Sequence, residues 1–269
     1  MRAVFSIGSL LVTAAGIQLS VLTDHTERLF AWTIGSGMSS TFLGAFYFMA
    51  LTVAIRSRKE AAWARARVGV YGVALFVTLT LVATLMHLDL FHLTEGTATA
   101  LVSGWAWVFV YVVAPVGVVT ALVLQHRAPG RDPARTELLP AWFRAILLAQ
   151  GLVLLVVGVW LFVAPTTATW WPWELTPLVG RAMAAWMLGL SVVLFTATVE
   201  NDWGRIHVAT PAYALLAALL GLSILRYGDE LRGGLSTVCY VLALSTAAFT
   251  GVVGTARGAR SHDARAVAR

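Results

Sequence analysis

Apolar residues run along this chain in stretches of about twenty, broken by short polar segments, with no alternation of the kind a half-buried strand requires. A helix rises about 1.5 Å per residue, so roughly 20 apolar residues cross the ~30 Å hydrocarbon layer of a bilayer. Eight stretches meet that measure: 4–22, 35–55, 68–86, 101–124, 145–164, 178–199, 208–225 and 234–254. The pattern predicts an all-α protein, a polytopic transmembrane helical bundle of eight spans. The connections are short, and the longest clearly polar one is 125–144, with Pro129, Gly130, Pro133 and Pro140 as helix breakers. Arg2 ahead of the first stretch resembles the start of a secretory leader. No small-residue cleavage site follows, however, and the stretch reaches membrane length, so it reads as a span.

Composition sharpens this picture. Hydrophobic residues make up 59% of the 269 and charged residues 12%, with a mean hydropathy of +0.80, whereas a soluble domain carries about a quarter charged residues. The net charge of +6 is better read as topology than as a nucleic-acid footprint, since cytoplasmic loops collect Lys and Arg. Fifteen of the nineteen Lys and Arg fall on one side of the eight-span layout, and only Arg28, Arg181, Arg226 and Arg232 fall on the other. Both termini are therefore expected in the cytoplasm of a cell whose membrane holds the chain. The outer face carries seven of the thirteen acids. The single cysteine, Cys239, excludes an internal disulfide or a zinc ribbon.

The two halves can be laid over each other. At an offset of 140, Glu60-x-x-Trp63-x-Arg65 falls on Glu200-x-x-Trp203-x-Arg205, and Asp89 falls on Asp229; at 141, Phe30-Ala-Trp32 falls on Trp171-Pro-Trp173; at 142, Gly16 falls on Gly158. The expected organisation is two tandem four-helix repeats, 1–124 and 145–254, joined by a cytoplasmic linker, 125–144, and followed by a basic tail, 255–269. Four spans per repeat keep both in the same sense across the bilayer, related by a pseudo-two-fold axis along its normal. A seam between the repeats is then the first place to look for a site.

Phe30-Ala-Trp-Thr-Ile34 with Phe42-Leu-Gly-Ala45, His87-Leu-Asp-Leu-Phe-His92, and Trp171-Pro-Trp-Glu-Leu-Thr-Pro177 with Ala184-Ala-Trp186 carry a resemblance to a family of eight-span bacterial membrane proteins without an assigned activity. The resemblance covers nearly the whole chain. It implies the architecture and carries over no functional residue.

Candidate chemistry gathers at the outer ends. His87, Asp89, His92 and Glu95 follow the third span, and on a continued helix the last three would share a face. Their spacing matches no established metal motif, so the chain is read without a metal, as a polar helix terminus. Asp89 and Asp229 would sit at equivalent depth across the pseudo-axis, where two nearby carboxylates push their pKa values apart and one can serve as an acid. Glu174 and Arg181 flank the start of the sixth span and are expected to pair away from lipid, with Trp173 and its repeat-mate Trp32 as walls. The matched Glu/Trp/Arg motif reads as an interfacial anchor. No Asp, Glu, Lys or Arg sits at the middle of any span, and no phosphate loop or nucleophile pattern occurs, so no cofactor is expected.

With no extramembrane domain, a substrate would be met in the bilayer or at its surface. The expectation is a protein that handles a lipophilic molecule, isoprenoid or otherwise lipid-like, in an outer pocket between the repeats. Asp89, Asp229, Glu174 and His87 would be its acid–base groups, and Trp32, Trp173, Arg181 and His92 its binding groups. Whether such a site catalyses is left open by the sequence. A transporter of a small neutral or lipophilic solute and a non-catalytic assembly protein are the alternatives. The bilayer is the one partner expected, and nothing in the sequence fixes the oligomeric state.

Overall fold

The structure, a computed structural model, describes residues 2–60, 62–130, 132–135 and 137–267, with side chains described between 9 and 258. Eight long helices follow one another: α1 (Arg2–Ser20), α2 (Gly37–Ser57), α3 (Trp63–Met86), α4 (Ala98–Arg127), α5 (Ala141–Val163), α6 (Pro177–Glu200), α7 (Ala209–Tyr227) and α8 (Gly234–Val267). Seven of them, α2 to α8, have the length and hydropathy to cross a membrane, which marks a multi-pass membrane protein. The eighth expected span falls on α1, whose described apolar part is the shorter run Ser9–Ser20.

Helix starts follow local chemistry. Ser36, Thr97 and Thr176 cap α2, α4 and α6 by accepting hydrogen bonds from the backbone N–H groups of Ser39, Ala100 and Val179, and Pro177 occupies the first turn of α6, where its missing N–H costs nothing. Asn201 ends α6 in the left-handed conformation (φ 47°) that Asn tolerates, and its Oδ1 accepts from Leu139 N at 3.2 Å. Helices α3, α4 and α8 overrun the expected spans the most. α3 begins at Trp63 because Arg65 and Arg67 find carboxylates at its first turns, and α8 continues as a helix to Val267.

Packing places α2, α3, α6 and α7 at the centre. α2 lies along α7 and α3 along α6, while α1 covers α2, α5 covers α6, α4 covers α3 and α8 covers α7. Exchange of the first four helices for the second four leaves this pattern of neighbours unchanged. The closest approach is between α3 and α6, where a Cβ on Gly72 would stand 2.5 Å from Gly189 O and one on Gly189 would stand 2.9 Å from Gly72 O. Such backbone contact is how helices pack when lipid supplies no hydrophobic drive between them. Near it, Phe46 and Trp186 meet at 5.4 Å between ring centres, and Phe76 stacks on Trp186 at 3.5 Å. α4 is held to this centre by Tyr111, whose hydroxyl lies 2.7 Å from that of Tyr47, and by Trp107, whose Nε1 donates to Thr84 Oγ1 at 3.0 Å, while much of its apolar surface is exposed.

Candidate functional site

Cross-chain contacts define two ends of the molecule. At the basic end, the turns after α2 and α6, the linker and the far part of α8 come together. Glu60 Oε1 lies 2.9 Å from Nε2 of His207, and Glu60 Oε2 lies 3.7 Å from Arg65. Its mate Glu200 accepts from Arg67 at 2.5 and 2.9 Å and from Arg205 at 2.6 Å. At the offset of 140, Arg67 corresponds to His207, so each half's glutamate reaches a nitrogen-bearing side chain of the other half. The Glu/Trp/Arg motif is thus a reciprocal lock between the halves, with Trp203 buried beneath it against Phe143 at 4.6 Å. The interfacial-anchor reading missed this, because the partner lies about 140 residues away in the chain and only the repeat register pointed to it.

Above the lock lies a cavity of about 60 Å³ between α2, α3, α6 and α7, lined by Val53, Gly69, Phe76, Trp186, Ala197 and Tyr213 among others. Its walls are almost wholly apolar. Thr210, also on the wall, keeps a buried hydroxyl without a hydrogen-bond partner.

The acidic end is closed differently. Glu230 accepts from Ser36 Oγ at 2.6 Å and from Gly37 N at 2.8 Å, so a carboxylate from the second half caps α2 of the first, where the helix dipole favours a negative charge. Arg181 donates to His87 Nε2 at 2.8 Å and to Phe162 O at 3.1 Å. Burial and the adjacent guanidinium hold the His87 pKa below its ordinary value, against a smaller upward pull from Asp89. The loop after α3 and the loop after α7 are tied down alike, by His92 N to Ala31 O at 2.9 Å and by Arg232 N to Pro172 O at 2.8 Å.

Several expectations are corrected here. Glu174 and Arg181 do not pair: the Glu174 side chain is 92% exposed and lies 3.7 Å from Arg232, because its loop faces outward, while Arg181 turns inward to His87. Asp89, His92 and Glu95 do not share a helical face, since α3 ends at Met86 and a 3-10 turn, Leu88–Leu90, redirects the chain. Asp89 and Asp229 are both exposed, in matching 3-10 turns. His92 bonds to the loop between α1 and α2, through Nδ1 to Phe30 O at 3.0 Å and Nε2 to Thr33 Oγ1 at 3.2 Å. Trp32 and Trp173 are buried but share no direct ring contact: Trp32 meets Phe30, Phe91 and Trp107, Trp173 meets Trp171, Phe42 and Tyr240, and the two groups are joined through Tyr47, Trp186 and Phe46. Trp173 Nε1 donates to Ser39 Oγ at 2.9 Å, which ties the second half's loop to α2. The seam cavity is lined by none of these eight residues. No protein-family model, curated protein or solved structure matched the sequence.

Proposed function

We propose that the protein is a membrane-embedded binder of a small lipophilic molecule, built as two tandem four-helix repeats that comprise eight spans, with both termini in the cytoplasm. The molecule enters the seam between the repeats. The observation that carries this reading is the apolar cavity of about 60 Å³ between α2, α3, α6 and α7, with the Glu60–His207 and Glu200–Arg67 contacts between the halves on its basic side. Apolar walls with one unmet hydroxyl suit a molecule that is mostly hydrocarbon and carries a single hydrogen-bonding group, such as a short isoprenoid alcohol. The outer acid–base reading has less to stand on, since Asp89, Asp229 and Glu174 are exposed and His87 is engaged with Arg181.

The test is thermal unfolding of the detergent-purified protein against isoprenoid alcohols of increasing length. The wild type should be stabilised saturably by the shortest that fit, and Ala209→Phe, which fills the cavity from the start of α7, should lose the response while keeping its fold. An equal response in the variant would sink the seam as the site.

Contacts between the halves at both ends favour a second reading, a carrier that opens each end in turn. Paired cysteines discriminate the two: a carrier should be arrested by a crosslink replacing Glu60 and His207 and equally by one replacing Ser36 and Glu230. A binder that opens at one end should be arrested by one crosslink alone.

A further inference from the structure

The two locks at the basic end are unequally supplied with negative charge. At the Glu200 lock, Asp132 of the linker lies 2.7 Å from Arg67 and 3.8 Å from Arg205, and Pro133 O accepts from Arg205 at 2.7 Å. Two guanidinium groups there meet two carboxylates and a carbonyl. At the Glu60 lock, the described residues supply one carboxylate. Arg65, the mate of Arg205, reaches Glu60 at 3.7 Å and has no counterpart of Asp132 or Pro133 among them. Arg56 joins the same cluster by donating from Nη2 to His207 O at 3.3 Å, yet its Nε is buried with no acceptor, and the adjacent Ser57 hydroxyl is buried with none.

Guanidinium N–H groups have no acceptor capacity of their own, and a buried one left unmet is costly, the more so because the group is charged. Natural structures seldom keep such a group without water or an ion. We propose that the Glu60 lock binds a phosphate-type oxyanion, with Arg56 and Arg65 donating charge-assisted hydrogen bonds and Ser57 a neutral one. The tetrahedral oxyanion offers several acceptors to donors that approach from the end of α2 and the start of α3. Its source is either a lipid headgroup, since basic pockets between spans recruit anionic lipids, or free phosphate. The site is separate from the seam cavity and does not depend on what fills it.

Full-length protein in a neutral detergent is titrated with inorganic phosphate, with phosphatidylglycerol and with diacylglycerol, and unfolding temperature and lipid retention in native mass spectrometry are read. Saturable stabilisation by phosphatidylglycerol alone assigns a headgroup, and stabilisation by phosphate as well assigns the bare oxyanion. Arg56→Gln should weaken the response at least tenfold in apparent affinity, while Arg58→Gln, an exposed neighbour, should leave it unchanged. If Arg56→Gln does not fold, Arg65→Gln takes its place. Equal loss in Arg58→Gln, an equal response to diacylglycerol, or no saturable response to phosphate or phosphatidylglycerol would each overturn the site.

Discussion

Glu60 and Glu200 stand in the same register of the two halves and face opposite demands. Glu200, with 7% of its side chain exposed, is gripped by two guanidinium groups in three short hydrogen bonds. Glu60, at 11%, holds one imidazole closely and one guanidinium at longer range. A bidentate Arg–carboxylate pair fixes distance and angle together, whereas an imidazole contributes one bond. The difference predicts that the Glu200 lock is the rigid member and the Glu60 lock the looser one.

The comparison breaks most readily at Glu200. Glu200→Gln leaves the partly exposed Asp132 as the one carboxylate facing Arg67 and Arg205, and removal of one charged partner from a buried ion cluster costs about 3–5 kcal/mol. Glu60→Gln keeps an acceptor for His207 and should cost less than half as much. Reversible unfolding in mixed micelles measures both, and equal losses would end the distinction between a rigid and a loose lock.

The central crossing offers the next largest effect. Gly72→Ala places a Cβ 2.5 Å from a backbone oxygen of α6 that cannot turn away, so α3 and α6 must separate, at about 1–3 kcal/mol. Gly221→Ala on α7, where nothing lies within 4 Å, should be neutral or stabilising by up to about 1 kcal/mol, because Ala is the better helix former. A Gly72→Ala variant as stable as Gly221→Ala would show that the crossing is soft.

The span pattern was legible because membrane crossing imposes a length on apolar runs, and most observed helix bounds fall within a few residues of those runs. The start of α3 was not, because Arg65 and Arg67 look like loop residues until Glu60 and Glu200 are seen to receive them. The locks were half legible. The matched Glu, Trp and Arg marked the positions, but a single sequence carries no sign of which distant cation a carboxylate meets. The outer site failed for a related reason: a short loop can aim a charge at water as easily as at protein, and Glu174 took the first course while Arg181 took the second. The crossing at Gly72 and Gly189 left no sequence signal, since either glycine alone reads as one more small residue in an apolar helix.

Asp132 sharpens the comparison of the locks at smaller cost. It is the linker's contribution to the rigid lock, yet 41% of its side chain is exposed, so water screens its pairing. Asp132→Asn should lower stability by less than about 1 kcal/mol while loosening the linker. Proteolysis between α4 and α5 should therefore quicken several-fold, with little change in unfolding temperature. A loss as large as that of Glu200→Gln would make the linker, and not the helix-borne pair, the source of rigidity.

The smallest effect is at the acidic end, where the halves differ again: His87 of the first half stands in the place of Tyr227 of the second, whose hydroxyl lies 2.5 Å from Thr23 Oγ1. His87 accepts from Arg181 through Nε2, which requires that nitrogen to be unprotonated. Burial first, then Arg181, lowers its pKa from the ordinary 6.5, and Asp89 offsets part of this. Between the lowered value and 6.5 the unfolded chain binds the proton and the folded chain resists it. The contribution is therefore complete above about pH 6.5, is lost as pH falls through the folded value, and is constant below it. His87→Gln supplies a carbonyl acceptor that does not titrate, so it should flatten this segment of the stability curve and match the wild type above pH 7. The segment should amount to less than about 1 kcal/mol, because the ring is only partly buried. A wild type that gains stability on acidification through this window, with the gain absent from His87→Gln, would mean that Asp89 and not Arg181 governs the ring.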